Sequence, residues 1–284
     1  MRRKLITRLA VLAAIAGSLV IFGPASPANA FISLYRVSAV GVLDAASPKS
    51  TSVTCTNAND RIISVGGRIN NGNGDVLMTR AFVNAALNVA TVSGIEAIPT
   101  AVAWSAEVIA VCAPPGAIAG LVLVQNTNGP NPFSKAEQAF CPAGTKVFGG
   151  GYYLDNAGGL VAINEFSFAP NSVRTVAINY GAPGNYSLTV QAVCGVPAPM
   201  MSGITFSSAV NAFSPKTVAT GNCPAGTQVS AVGTTISGAP GAASIDMLNP
   251  APPLPVGGAG ISTAREIGAF AGNWSSQIQA ICVG

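Results

Sequence analysis

The sequence predicts an all-β protein of three tandem, antiparallel, sandwich-like repeats of about 85 residues, each closed by one disulfide. Three observations predict it. A strand pattern led by an aromatic residue and ended by cysteine occurs three times. The six cysteines fall one near the start and one at the end of each copy. Short apolar stretches are interrupted throughout by turn formers, with 32 Gly and 20 Pro in 284 residues.

The first thirty residues read as a secretory leader. A basic start at Arg2, Arg3 and Lys4 precedes an unbroken apolar run from Leu9 to Phe22, then Gly23 and Pro24, and a small-residue exit at Ala28-Asn29-Ala30. The run is shorter than the roughly 20 residues that span hydrocarbon, which favours cleavage over anchoring. The expected product starts at Phe31 and has no membrane span. It is close to neutral: four of the fourteen Lys/Arg lie in the leader, leaving ten against ten Asp/Glu. Without a net positive field, the long-range attraction that drives nucleic-acid binding is missing.

The repeats divide the rest into 31–113, 114–197 and 198–284. Their ends align without gaps: Trp104 to Cys112, Tyr186 to Cys194 and Trp274 to Cys282 share aromatic, Ser, two free positions, Val/Ile, a free position, Ala, Val/Ile, Cys. Alternate residues of a strand share a face, so the aromatic, Val108, Ala110 and Cys112 form a small apolar face, and Ser105, Glu107, Ile109 and Val111 a mixed one. Upstream, Cys141-Pro-Ala-Gly-Thr matches Cys223-Pro-Ala-Gly-Thr. Gly66, Gly151 and Gly233 occupy one common position, which predicts a bulge or a close backbone approach. Earlier still, Lys49, Lys135 and Lys216 end matching Ser-(Pro)-Lys segments. Further strand candidates fill each copy, such as Val76 to Phe82, Val173 to Tyr180 and Ser244 to Leu248; only Ala81 to Ala90 hints at a helix. The alternative architecture is a single pseudo-threefold β-prism, each copy giving one sheet to a shared core. The repeat length favours modules, because a prism sheet needs only about four strands of ordinary length.

If every copy folds alike, the cysteines pair within copies: Cys55 with Cys112, Cys141 with Cys194, Cys223 with Cys282. An even count after the leader fits an oxidising compartment. Metal or redox chemistry lacks a Cys-x-x-Cys, a histidine or clustered acids to complete a site.

Cys-Pro-Ala-Gly-Thr before a Gly-rich strand, with an aromatic strand ending Val/Ile-x-Ala-Val/Ile-Cys, resembles a repeat of secreted bacterial proteins of actinobacterial type. That resemblance implies an extracellular β-module with no assigned reaction, and transfers no catalytic residue. A looser likeness, from triplication and Cys-Pro-x-Gly, is to the threefold β-prism of the vitelline membrane outer layer family.

Chemistry is sparse. The absence of histidine removes Ser-His-Asp and Cys-His nucleophile pairs. The ten acids occupy largely different places in the three copies, and Arg265-Glu266 reads as a solvated pair. Gly149-Gly150-Gly151 lacks the Lys-Ser/Thr of a phosphate loop. Asn71, Asn73 and Asp75 alternate like a calcium loop but lack its downstream Glu. Asn185-Tyr186-Ser187 and Asn273-Trp274-Ser275 match the glycosylation sequon, and Pro250, Pro252, Pro253 and Pro255 predict a stiff loop. The residues suited to ligand contact are Trp104, Tyr186 and Trp274, whose rings cap a core or stack on sugars, and Tyr152 and Tyr153, one of which should be exposed. The expectation is a secreted, non-catalytic structural or adhesive protein of the cell surface or extracellular matrix, with no cofactor or metal. The alternative is a lectin-like carbohydrate-binding protein with aromatic contacts. Expected partners are an envelope polymer, a glycan or another surface protein.

Overall fold

A computed structural model describes residues 32–182, 184–197, 201–250 and 258–284. The leader, Phe31 and Pro252, Pro253 and Pro255 lie outside them. Among the described residues there are eighteen strands and no helix. Repeat 1 holds β1 (Tyr35–Val40), β2 (Lys49–Thr54), β3 (Arg61–Asn70), β4 (Val76–Val83), β5 (Val89–Glu96) and β6 (Ser105–Ala113). Repeat 2 holds β7 (Val122–Asn131), β8 (Lys135–Phe140), β9 (Lys146–Asp155), β10 (Val161–Ala169), β11 (Ser172–Asn179) and β12 (Tyr186–Gly195). Repeat 3 holds β13 (Met201–Ser207), β14 (Lys216–Ala219), β15 (Gln228–Ser237), β16 (Ala243–Asn249), β17 (Ile261–Glu266) and β18 (Ser275–Val283). The suspected helix at Ala81 to Ala90 is instead the β4–β5 hairpin. Leu87 takes a left-handed backbone (φ 55°) in its turn, and Asn84 Oδ1 accepts from the Asn88 and Val89 N–H groups.

Every repeat has the same layout. Its first, sixth and third strands pair side by side, and its second, fifth and fourth strands pair in a different sheet. Each repeat is therefore a three-on-three sandwich, and its disulfide joins the two layers near the strand ends. Cys55–Cys112, Cys141–Cys194 and Cys223–Cys282 are the bonds formed, with Cα atoms 6.0, 5.6 and 5.7 Å apart. They close segments of 57, 53 and 59 residues, a constraint worth about 4 kcal/mol each in the chain-entropy view.

The half-sheets do not end at the repeat boundary. The third strand of each copy pairs with the fourth strand of another: β9 with β4, β15 with β10, and β3 with β16. The result is three six-stranded sheets, each built from two repeats, and the third pairing closes the series on itself. Residues 31–284 form one compact unit around one continuous core. The repeats are sandwich-like as the pattern predicts, and they share a core as the prism alternative does, but each copy contributes half of two sheets rather than one whole sheet.

The common glycine marks these three seams. A Cβ on Gly151 would stand 2.5 Å from the Ala81 carbonyl oxygen, on Gly233 2.4 Å from that of Phe166, and on Gly66 2.1 Å from that of Leu248. In each case the carbonyl belongs to the fourth strand of the neighbouring repeat. Close approach is thus the reason for the glycine; the bulge falls three residues earlier, at Ile63, Phe148 and Ser230.

The glycine also leaves a path for a side chain. Gln191 on β12 lies opposite Gly151 and reaches across it to Val83 on β4, accepting from the Val83 N–H and donating to its carbonyl, both at 2.9 Å. Gln279, opposite Gly233, makes the same two bonds to Phe168, at 2.8 and 2.6 Å. At the third seam the corresponding residues are Ile109 and Pro250. Proline has no N–H to offer, and the clamping amide is replaced by an apolar side chain.

Candidate functional site

The triplicated aromatic residues are structural. Trp104, Tyr186 and Trp274 are 0% exposed, so of the two readings the rings fill the core and are not open to a ligand. Each instead receives a lysine ammonium: Lys49 lies 4.3 Å from the Trp104 ring centroid, Lys135 4.8 Å from Tyr186, and Lys216 5.0 Å from Trp274. A buried ammonium is tolerated only when its donors are satisfied. Lys49 donates to the Asp44 and Trp104 carbonyls and pairs with the Asp44 carboxylate at 2.8 Å. Lys135 donates to Gly129 O and Asn131 Oδ1, both at 2.8 Å, and Lys216 to Asn211 O and Oδ1. Burial pulls the Lys135 and Lys216 pKa values below the ordinary lysine value. The Ser-(Pro)-Lys segments are explained by this arrangement.

The other polar end of each ring is met too. Glu96 accepts the Trp104 indole N–H at 3.2 Å and Glu266 that of Trp274 at 2.8 Å. In repeat 2, Asn179 holds the matching place and the ring is tyrosine, whose hydroxyl donates to the Phe133 carbonyl at 2.7 Å and has its pKa pushed up to about 12 by burial. Sequence reasoning missed Asp44, Asn131 and Asn211, which face the ring across an antiparallel pair in each copy; an Asp or Asn four or five residues before each lysine was the available signal.

Tyr152 is fully buried and its hydroxyl pKa is raised, so it too is withdrawn from ligand contact. Tyr153 is half-buried and packs on Phe82 of repeat 1, ring centroids 5.3 Å apart. Both tyrosines belong to the seam between repeats 1 and 2. Asn71 (φ 62°) and Asn73 (φ 50°) form the left-handed turn between β3 and β4. Arg265-Glu266 is not a solvated pair: the side chains separate, Glu266 to Trp274 and Arg265 to Asp246.

Two features remain that the fold does not need. The first is a polar cleft of about 400 Å³ at the seam of repeats 3 and 1, lined by Arg68, Asn70, Asn71, Asn73, Thr217, Asp246 and Arg265 among others. A row of alternating charge crosses this sheet: Arg36 and Arg68 flank Glu107 at 4.0 and 3.8 Å, and Arg265 Nε donates to Asp246 Oδ2 at 3.0 Å. Burial pushes the Asp246 pKa up to about 6, against the pull of Arg265 and Arg68.

The second feature is the loop joining the first and second strands. Of the large apolar residues exposed among the described residues, the four most exposed are Phe213, Val42, Phe133 and Val210, at 78, 73, 71 and 71%. All four lie in this one loop of the three copies. The loops are fastened from below, since Asn131 Oδ1 accepts the Phe133 N–H and Asn211 Oδ1 that of Phe213, both at 3.1 Å, while Asp44 Oδ1 accepts that of Ala46 at 2.8 Å. Among the described residues no helix is long and apolar enough to cross a membrane, and the three disulfides suit an oxidising, extracellular-type environment.

Neither the family models searched nor the curated protein sequences contain a match to this chain.

Proposed function

We propose that the chain is a secreted, non-catalytic adhesive protein of the cell surface or extracellular matrix, which attaches through the loops between the first and second strands of its repeats. The observation that carries this reading is the concentration of the most exposed apolar side chains in one loop present three times. Exposed apolar surface gathered in one place marks an interaction site, and contacts from three copies of one loop turn weak attachment into avidity.

Secretion is supported by the leader pattern and by the cysteines all being spent in disulfides. A non-catalytic role is supported by the lack of histidine and by the engagement of the acids. Asp60 accepts from Tyr35, Asp155 pairs with Arg80, Glu165 with Arg174, and Glu96 and Glu266 hold the tryptophans. A hydrolase of the two-carboxylate kind needs a converging pair of free acids.

The test is retention of labelled residues 31–284 on whole cells and isolated envelope fractions of the source organism. Binding that falls at least tenfold in a Val42→Ser, Phe133→Ser, Phe213→Ser variant of unchanged circular dichroism supports the reading. Equal binding by variant and wild type, or hydrolysis of a carbohydrate or peptide substrate abolished by a single Asp or Glu change, overturns it.

A further inference from the structure

Each seam between repeats places three positions side by side: the bulged residue of the fourth strand, a residue of the fifth strand, and one of the third strand from the neighbouring copy. In the seam of repeats 1 and 2 these are Thr79, Ile95 and Tyr153; in that of repeats 2 and 3, Asn164, Ile178 and Thr235. In the seam of repeats 3 and 1 they are Asp246, Arg265 and Arg68. The first two seams carry no charge at any of these positions; their ion pairs, Arg80 with Asp155 and Glu165 with Arg174, use the next residue of the fourth strand, so the third seam differs in placing its pair at the bulge itself. A buried carboxylate paired with a guanidinium is seldom the more stable choice over the hydroxyl or amide and isoleucine used elsewhere in the molecule. These charges, in a chain only 8% charged, are the clearest departure from the threefold pattern.

Asp246 is nine-tenths buried and its Oδ1 has no hydrogen-bond donor; Asn164 Oδ1 at the matching position of the second seam also lacks one, but only Asp246 brings a charge to that place. An acceptor left orphaned at that depth is costly. Above it, the cleft of about 400 Å³ is lined by side chains that both donate and accept. Each guanidinium at the cleft already has a carboxylate within 4.0 Å, Arg265 having Asp246 and Arg68 sharing Glu107 with Arg36, so neither stands unpaired to draw an anion. Two guanidiniums exclude a cation.

We infer that the cleft at the seam of repeats 3 and 1 binds a neutral polyhydroxylated ligand, a segment of glycan, with Asp246 and Arg265 as its recognition pair and Arg68, Asn70, Asn71 and Asn73 around them. Vicinal hydroxyls both donate and accept. One can donate to the Asp246 carboxylate while its neighbour accepts from a guanidinium or amide N–H, and such charge-assisted bonds are the strong ones. The site uses none of the loop residues proposed for adhesion and stands whether or not those loops attach.

The experiment is binding of residues 31–284 to an immobilised array of neutral and acidic glycans, followed by calorimetric titration with the best neutral oligosaccharide. Arg265→Ile, which copies Ile95 and Ile178, and Asp246→Asn, which copies Asn164, are each expected to weaken binding at least tenfold while disulfides and circular dichroism are retained. Asp155→Asn, at the seam of repeats 1 and 2, and the adhesive-loop triple variant are expected to bind as wild type. Failure to bind any neutral glycan, binding restricted to acidic glycans, or affinity unchanged in both cleft variants overturns the inference.

Discussion

Asp246 shows how one side chain carries a cost that its copies avoid. Unfolded, its carboxyl titrates near 3.8; folded, burial raises that to about 6. The native chain therefore holds the proton to higher pH. The stability associated with the protonated form is complete below pH 3.8 and is lost as pH rises through 6, a difference on the order of 3 kcal/mol. Asp246→Asn is expected to match wild type in urea unfolding at pH 4 and to exceed it by about 2–3 kcal/mol at pH 7.5, disulfides intact. A gap that does not widen over this interval would remove the burial argument. Combined with weaker ligand binding, the gain would be the usual exchange of stability for function at a site. The sequence alone left Asp246 as one acid among ten, because nothing local to it announces burial; Arg265 holds it from 19 positions away and β3, paired with its strand at Arg68, lies 178 positions away in the chain.

At the scale of the strand, the seams are short ladders of two residue pairs each, extended by a side chain that imitates backbone. Gln191→Leu would orphan the N–H and carbonyl of Val83 in a buried place, and an equilibrium unfolding measurement should register a loss of about 2–4 kcal/mol. Ile109→Gln tests the same logic in reverse. Opposite Pro250 the new amide finds no N–H, so the change should destabilise by about 2 kcal/mol rather than add a clamp. The triplicated strand pattern, the cysteine pairing and the close approach at Gly66, Gly151 and Gly233 were legible because each is local and repeated three times. The partner of each glycine was not, since strand pairing across repeats depends on where the fourth strand lies in space. The aromatic residues left both core and contact open for a related reason: a ring at the head of a strand looks the same in sequence whether a lysine or a sugar lies over it.

For the whole molecule, no repeat owns both of its sheets. Each repeat completes half of two sheets, so residues 31–284 should unfold in one calorimetric transition with matching calorimetric and van't Hoff enthalpies, unlike a linear array whose repeats melt piecemeal. Three separable transitions, or a folded product ending at residue 197, would contradict the sharing. Because β3 near the beginning pairs with β16 near the end, the arrangement also fixes its own copy number. A linear stack can gain or lose a unit and simply grow longer or shorter. Here a fourth unit would force every junction to a new angle, and two could not close, so duplication or deletion of one unit yields no functional intermediate, and divergence must proceed by altering single positions within the three already present.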